Sequence, residues 1–268
     1  MKKYLLTLLV IGLTLFQAQA QDYKVIRVNG TIVAQSTKSN LIRGTVFGEK
    51  EKFQYKTDDA RAVVINTKKG KRYILKGTEA DASYHNASLT PSAGNISSRA
   101  GGLNNRLDLM NHFDGKYVIL GELKVVINSA AFPMDKDHFF FIRYVYKGEK
   151  IDKELYYHND TLIIIRDSLL QVDHKPIRNE DITEMKLYYV FKVDGEFKKS
   201  IISSTFYPVF PKESDLKEEV EIVVDAMKGK SDIEILQEIS SYISDAYGRV
   251  NKENVLAWYH ANFATKNR

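Results

Sequence analysis

Residues 58–76, DDARAVVINTKKGKRYILK, gather Lys68, Lys69, Lys71 and Arg72 around Gly70. Cations crowded about one glycine can cradle a phosphate, touch an anionic polymer or lipid surface, or crown a hairpin in water. A phosphate-gripping loop needs the spacing G-x-x-x-x-G-K-[ST] ahead of a helix, so that backbone N–H groups converge on the anion. Here one glycine separates two β-rich runs, Ala62-Val63-Val64-Ile65-Asn66 and Arg72-Tyr73-Ile74-Leu75. That spacing predicts a hairpin tip, with Gly70 at positive φ and the lysines in solvent. Lys68, Lys69, Lys71 and Arg72 are the candidates for contact with an anionic envelope surface.

Other chemistry is sparse. Asp135, Asp137 and His138 form the best metal-like cluster, but a calcium loop would add its glycine and a distal glutamate. The six histidines are scattered, and none stands in H-E-x-x-H, the pattern that sets two imidazoles on one helical face. There is no G-x-S-x-G nucleophile elbow. The chain has no cysteine, which excludes disulfides, thiolate nucleophiles and cysteine-bound zinc. No cofactor motif is present. Asp160-Thr161-Leu162 and Asp167-Ser168-Leu169 resemble the D-[ST]-aliphatic sequon of secretory O-glycosylation in one group of Gram-negative bacteria, which makes Thr161 and Ser168 candidate glycosylation positions.

The compartment is written at the start of the chain. Lys2 and Lys3 precede an apolar run from Tyr4 to Phe16, and Ala18-Gln19-Ala20 supplies a small-x-small cleavage site. Residues 1–20 are expected to be a secretory signal, cleaved before Gln21. Loss of the two lysines lowers the formal charge of +5 by two, a mild excess that does not suggest a nucleic-acid partner. No later stretch is apolar enough to span a bilayer.

Residues 21–76 read as a small β-module. Tyr23 to Val28 and Thr31-Ile32-Val33 flank Asn29-Gly30, which predicts a type I′ hairpin. Gly30, Leu41 with Gly44, Thr57, Ala60 with Ala62-Val63-Val64, Gly70 and Tyr73-Ile74-Leu75 together resemble the periplasmic β-domain of the FecR family. FecR proteins carry an anti-sigma segment and a transmembrane helix ahead of that domain, and neither is found here. The resemblance therefore implies only a small envelope β-module, and sigma-factor signalling is not carried over with it.

Residues 77–113 read as a linker ending in a short helix. Residues 77–100 hold few large aliphatics, and Leu103, Leu107, Met110 and Phe113 then recur at helical spacing. Residues 114–211 read as an antiparallel β-sandwich. Tyr117, Ile119, Leu123, Val125 and Ile127 occupy odd positions and Phe140, Ile142, Tyr144 and Tyr146 even ones, each set marking one buried face. Phe139 and Phe141 add bulk to the opposite face, as in a central strand covered on both sides. Asp194-Gly195 is the strongest hairpin signal.

Residues 212–268 read as three helices. The first carries Leu216, Val220, Val223 and Met227 as its stripe, the second is opened by a Ser231/Glu234 capping box and stopped at Gly248, and Asn251 caps the third. The fold class is thus mainly β with α. The order of signal, β-module, linker, sandwich and helices resembles exported envelope proteins of Gram-negative bacteria. The expected function is a non-enzymatic binding, adaptor or sensor module for an envelope protein or polymer. A hydrolase of envelope glycans or peptides and a carbohydrate-binding module are the alternatives. A groove with two facing carboxylates would favour the first of these, and an exposed flat aromatic strip the second.

Overall fold

The computed structural model describes residues 22–77, 80, 82–92, 103–204 and 206–263. The expected leader, the cleavage point before Gln21 and residues 93–102 of the expected linker lie outside them. The chain is mainly β with several antiparallel sheets and C-terminal helices. It divides into two compact units: residues up to Ser92 together with Glu219–Lys228, and the remainder.

The smaller unit is built from β1 (Tyr23–Asn29), β2 (Ile32–Ala34), β3 (Val46–Phe47), β4 (Lys52–Tyr55), β5 (Arg61–Asn66), β6 (Lys71–Lys76), β7 (His85–Asn86) and β8 (Leu89–Pro91). These form one sheet in the order β3-β1-β5-β6-β8 and a second in the order β2-β4-β7. Val25, Ile32, Phe47, Phe53, Val64 and Leu75 contribute to its core.

Two expectations are corrected here. Asn29-Gly30 does not close a hairpin, because β1 pairs with β3 and β5 while β2 pairs with β4. Only Gly30 has positive φ, at 68°, so the chain turns a corner from one sheet into the other. A Cβ on Gly30 would come 2.9 Å from Ala60 Cα, so the 57–60 turn requires a glycine there. The Asn29 side chain serves that turn instead, donating to Asp59 at 3.0 Å. The second correction concerns the linker. His85–Asn86 pairs with Lys52 and Phe53, and Leu89–Pro91 pairs with β6. Backbone hydrogen bonds at sheet edges need no apolar side chains, so this small, polar sequence concealed two strands.

A distant segment completes the smaller unit. Glu219, within the helix Glu213–Ala226, is fully buried and accepts from Arg27 Nη1 at 3.2 Å and from Arg43 Nη2 at 3.4 Å. Arg27 and Glu219 are 192 positions apart. A carboxylate taken out of water is tolerable only beside such partners.

The larger unit holds α1 (Arg106–His112), β9 (Gly115–Val118), β10 (Glu122–Val126), β11 (Phe139–Tyr146), β12 (Glu149–Glu154), β13 (Tyr156–His158), β14 (Thr161–Ile165), α2 (Arg166–Leu169), β15 (Gln171–Val172), β16 (Lys175–Pro176), β17 (Ile182–Val193), β18 (Glu196–Ser203) and β19 (Phe206–Val209). They are followed by α3 (Glu213–Ala226), α4 (Asp232–Tyr247), β20 (Arg249–Val250) and α5 (Lys252–Phe263). A four-stranded sheet, β12-β11-β17-β18, and a three-stranded sheet, β10-β14-β13, contribute to one core. The odd set Tyr117, Ile119, Leu123, Val125 and Ile127 is buried in it, as are Phe140, Ile142 and Tyr144 of the even set. Asp194 and Gly195 both take positive φ, at 52° and 83°, and close the β17–β18 hairpin.

The domain is not purely antiparallel. β9 lies between β19 and β20 and runs parallel to both. Gly248 makes this possible. Its φ is 126° and a Cβ there would meet Lys116 O at 2.7 Å, so α4 can end directly against β9. The helical stripe expected before the sandwich also shifts. Leu109 is buried, while Leu107 and Met110 are exposed, because α1 begins only at Arg106 and spans 7 residues. The C-terminal helices carry their expected signals. Ser231 and Glu234 form the capping box, Asn251 Oδ1 accepts from Asn254 N at 2.8 Å, and the stripe Leu216, Val220, Val223 and Met227 is buried. Asn254 then docks α5 by bonding the Leu120 N–H and the Leu120 and Glu122 carbonyls.

Two measurements test these contacts. Glu219→Ala leaves two arginines around a vacated carboxylate site, so unfolding in urea should show a loss of about 3–5 kcal/mol. Glu219→Gln, which keeps the shape, should lose less. The second test concerns His112, whose Nε2 lies 3.0 Å from Tyr117 Oη. Burial, with the Arg249 charge second, lowers its imidazole pKa to about 4. The folded state therefore binds fewer protons there than the unfolded chain, whose histidine titrates near about 6.5. Stability should be full above that value and fall as pH drops towards 4. Denaturant midpoints measured across this window should show the fall, and His112→Phe should flatten it.

Candidate functional site

The four-stranded sheet turns one face to the main core and carries a groove on the other. Strand alternation sends Phe140, Ile142 and Tyr144 of β11 inward, so Phe139, Phe141 and Arg143 point out. On β17 the outward residues include Tyr188 and Val190. The ladder places Glu154 opposite Phe141 and Asp152 opposite Arg143 on one side. On the other side, Tyr188 faces Phe141, Val190 faces Phe139 and Lys199 faces Val190. Together these residues bound a groove of about 500 Å³ lined by Phe139, Phe141, Arg143, Asp152, Glu154, Val190, Phe197, Lys198 and Lys199.

The groove floor is a small second core. Phe141, Tyr188 and Val190 are buried, with Phe139 packed against them. The Phe141 and Tyr188 rings stack at 4.8 Å with an interplanar angle of 7°. They stand side by side, so their faces meet each other. Arg143 lies 5.6 Å from each ring centroid and grips Asp152 through Nε at 2.5 Å and through Nη2. The Asp152 hydrogen bonds raise the guanidinium further above its usual pKa, so this pair is a fixed, internally neutralised element of the wall. Lys199 Nζ lies 5.8 Å from the Tyr188 centroid. Among the described residues no ion pair reaches Lys199 or Glu154. Phe197, 59% exposed, closes one rim and has the Lys192 ammonium 5.3 Å from its ring centroid.

The residues singled out from the sequence lie elsewhere. Lys68 and Lys69 are exposed in the β5–β6 turn and Lys71 at the start of β6. Asn66 Oδ1 shapes this turn by accepting from the backbone N–H of Lys68 and of Lys69. Lys68 Nζ makes an ion pair with Asp22 at 2.5 Å. Arg72 does not join the exposed set. It is 3% exposed, on the face of β6 opposite Lys71, Tyr73 and Leu75.

Asp135 and His138 pair with each other, while the Asp137 carboxylate turns to Lys192. His138 Nδ1 lies 2.9 Å from Asp135 Oδ1, and Asp137 pairs with Lys192 at 3.4 Å. Among the described residues no three such side chains converge as a metal site. Thr161 opens β14 with its hydroxyl 3.2 Å from Asp160, and Ser168 lies half-buried in α2.

None of the groove residues is a site candidate from the sequence. The available signal was Phe139 and Phe141, apolar on the face opposite the core set. Placing Asp152, Glu154 and Lys199 beside them requires the strand register. No family model, curated protein or solved structure matches the chain.

The lysine-rich turn remains testable on its own. Changing Lys68, Lys69 and Lys71 together to Ser should move thermal unfolding by about 0.5 kcal/mol or less for each exposed charge. Gly70→Val should cost more, about 1–3 kcal/mol, because φ is 62° and a Cβ there would meet Met227 Sδ at 2.7 Å. Equal stability of the two variants would mean that the turn rearranges.

Proposed function

We propose that this chain is an exported, non-enzymatic binding module of the cell envelope and that the outer face of its four-stranded sheet receives a segment of another protein. The observation that carries this reading is the groove itself: an apolar floor of Phe139, Phe141 and Val190 flanked by charged rims. Such a floor offers burial to an incoming apolar side chain, worth about 1.5–3 kcal/mol for a large one. Charged rims add selectivity and speed of encounter.

The alternatives draw less support from the same atoms. A sugar platform needs a flat strip of ring faces open to solvent, whereas Phe141 and Tyr188 cover one another and the exposed Phe197 ring has the Lys192 ammonium beside it. A hydrolase would need two carboxylates across a cleft. Asp152 and Glu154 stand two residues apart on one strand, and Asp152 is committed to Arg143. The FecR-like resemblance of residues 23–76 adds a proposal for the smaller unit, a second envelope-facing module.

The test is cross-linking of the purified protein in envelope extract, compared with Val190→Arg, which fills the floor, and Phe197→Ser, which removes an exposed rim side chain. The expected result is a protease-sensitive partner captured by the parent and lost from both variants. Equal capture by all three, or a captured species that survives protease, would overturn the reading.

A further inference from the structure

The groove is electrically lopsided, and that asymmetry specifies what fits it. Arg143 and Asp152 neutralise each other in place. Three charges of the lining then remain without an ionic partner among the described residues, Glu154 on β12 and the adjacent Lys198 and Lys199 on β18, so one rim is acidic and the other basic. β12 and β18 are the two edges of the sheet, with β11 and β17 between them. Adjacent strands lie about 4.8 Å apart, so the carboxylate and the ammonium stem from backbones about 15 Å apart. Between them lies the apolar floor of Phe139, Phe141 and Val190.

We infer that the groove binds an extended peptide segment with a basic side chain at one end, an aromatic or branched apolar side chain in the middle and an acidic side chain at the other. The basic group meets Glu154, the apolar group sits on the floor and the acid meets Lys199. This rests on the reading of the groove as a protein-binding surface and names the chemistry of its ligand. An extended chain advances about 3.3 Å per residue and points alternate side chains to one face. Residues 1, 3 and 5 of such a segment therefore face the sheet together, and the outer two are about 13 Å apart. That span matches the separation of the two rims. A uniformly acidic segment would place a like charge at Glu154, and a uniformly basic one would do so at Lys199, each at a cost in affinity.

The probes are three end-capped, fluorescein-labelled peptides, Lys-Ala-Phe-Ala-Asp, Asp-Ala-Phe-Ala-Asp and Lys-Ala-Phe-Ala-Lys, titrated by fluorescence anisotropy into the purified protein at low salt. The parent should bind the dipolar peptide roughly tenfold more tightly than either uniform one. Glu154→Lys should move the preference to the doubly acidic peptide, and Lys199→Glu to the doubly basic peptide. Both positions are exposed, so both variants should fold, with unchanged thermal unfolding as the check. Equal binding of all three peptides by the parent, or preferences untouched by the two reversals, would overturn the inference. Failure of every peptide to bind, with capture from extract still dependent on Val190 and Phe197, would overturn this ligand assignment and leave the protein-binding reading standing.

Discussion

A strand can hide only one face in a core unless something covers the other, and β11 carries aromatic residues on both. Phe140, Ile142 and Tyr144 are buried in the main core, and their alternation forces Phe139, Phe141 and Arg143 to the outside. The register with β17 sets Tyr188 beside Phe141 and Val190 beside Phe139. The register with β12 sets Asp152 beside Arg143. Slipping either partner strand by one residue would send its side chains to the other face. The main core and the groove are thus two consequences of one alignment, and the large apolar set on the core side holds that alignment in place.

The smaller unit shows the opposite logic, a charge holding a distant piece of chain. Glu219 is fully buried, and Arg27 and Arg43 both donate to it. Its neighbours Val220 and Val223 are also buried. Apolar contacts alone would bind many helices to a β-module. A buried carboxylate fits only where two guanidinium groups await it, which favours one register of the helix over others. The smaller unit is therefore not a continuous stretch of sequence. A fragment ending at Ser92 would lack Glu219 and leave both arginines without this partner.

What could be read from the sequence follows the same physics. Periodicity over long apolar sets was legible, as in Tyr117 to Ile127 and Phe140 to Tyr144, because burial enforces it. Capping was legible too, since Ser231 and Glu234 act locally. Features set by partners far along the chain were not. Asn29-Gly30 has hairpin chemistry, yet the turn at residues 57–60 claims it for a corner. β7 and β8 are strands because the edges of two sheets lie beside them, not because of their own side chains. Arg72 reads as one more surface cation, yet it is buried on the face of β6 opposite Tyr73 and Leu75, which pack in the module's core. The groove belongs to this second class. Its residues come from four strands, and only Phe139 and Phe141 announced a second apolar face.

The edge of the same sheet bears on how the groove can be used. β18 is an outer strand of 8 residues, and such an edge offers unpaired backbone groups to any passing strand. Here Arg106 of α1 donates to the Ile201 carbonyl at 3.0 Å and so occupies an acceptor of that edge. A partner strand adding along β18 would have to displace this guanidinium. The outer face presents no comparable obstacle: Phe197 and Ile201 are exposed there beside Lys199. With an acceptor of the edge engaged, the recognition proposed for this face would fall to side chains. On the proposed reading, selectivity would rest on the sequence of the partner segment rather than on its capacity to form a strand.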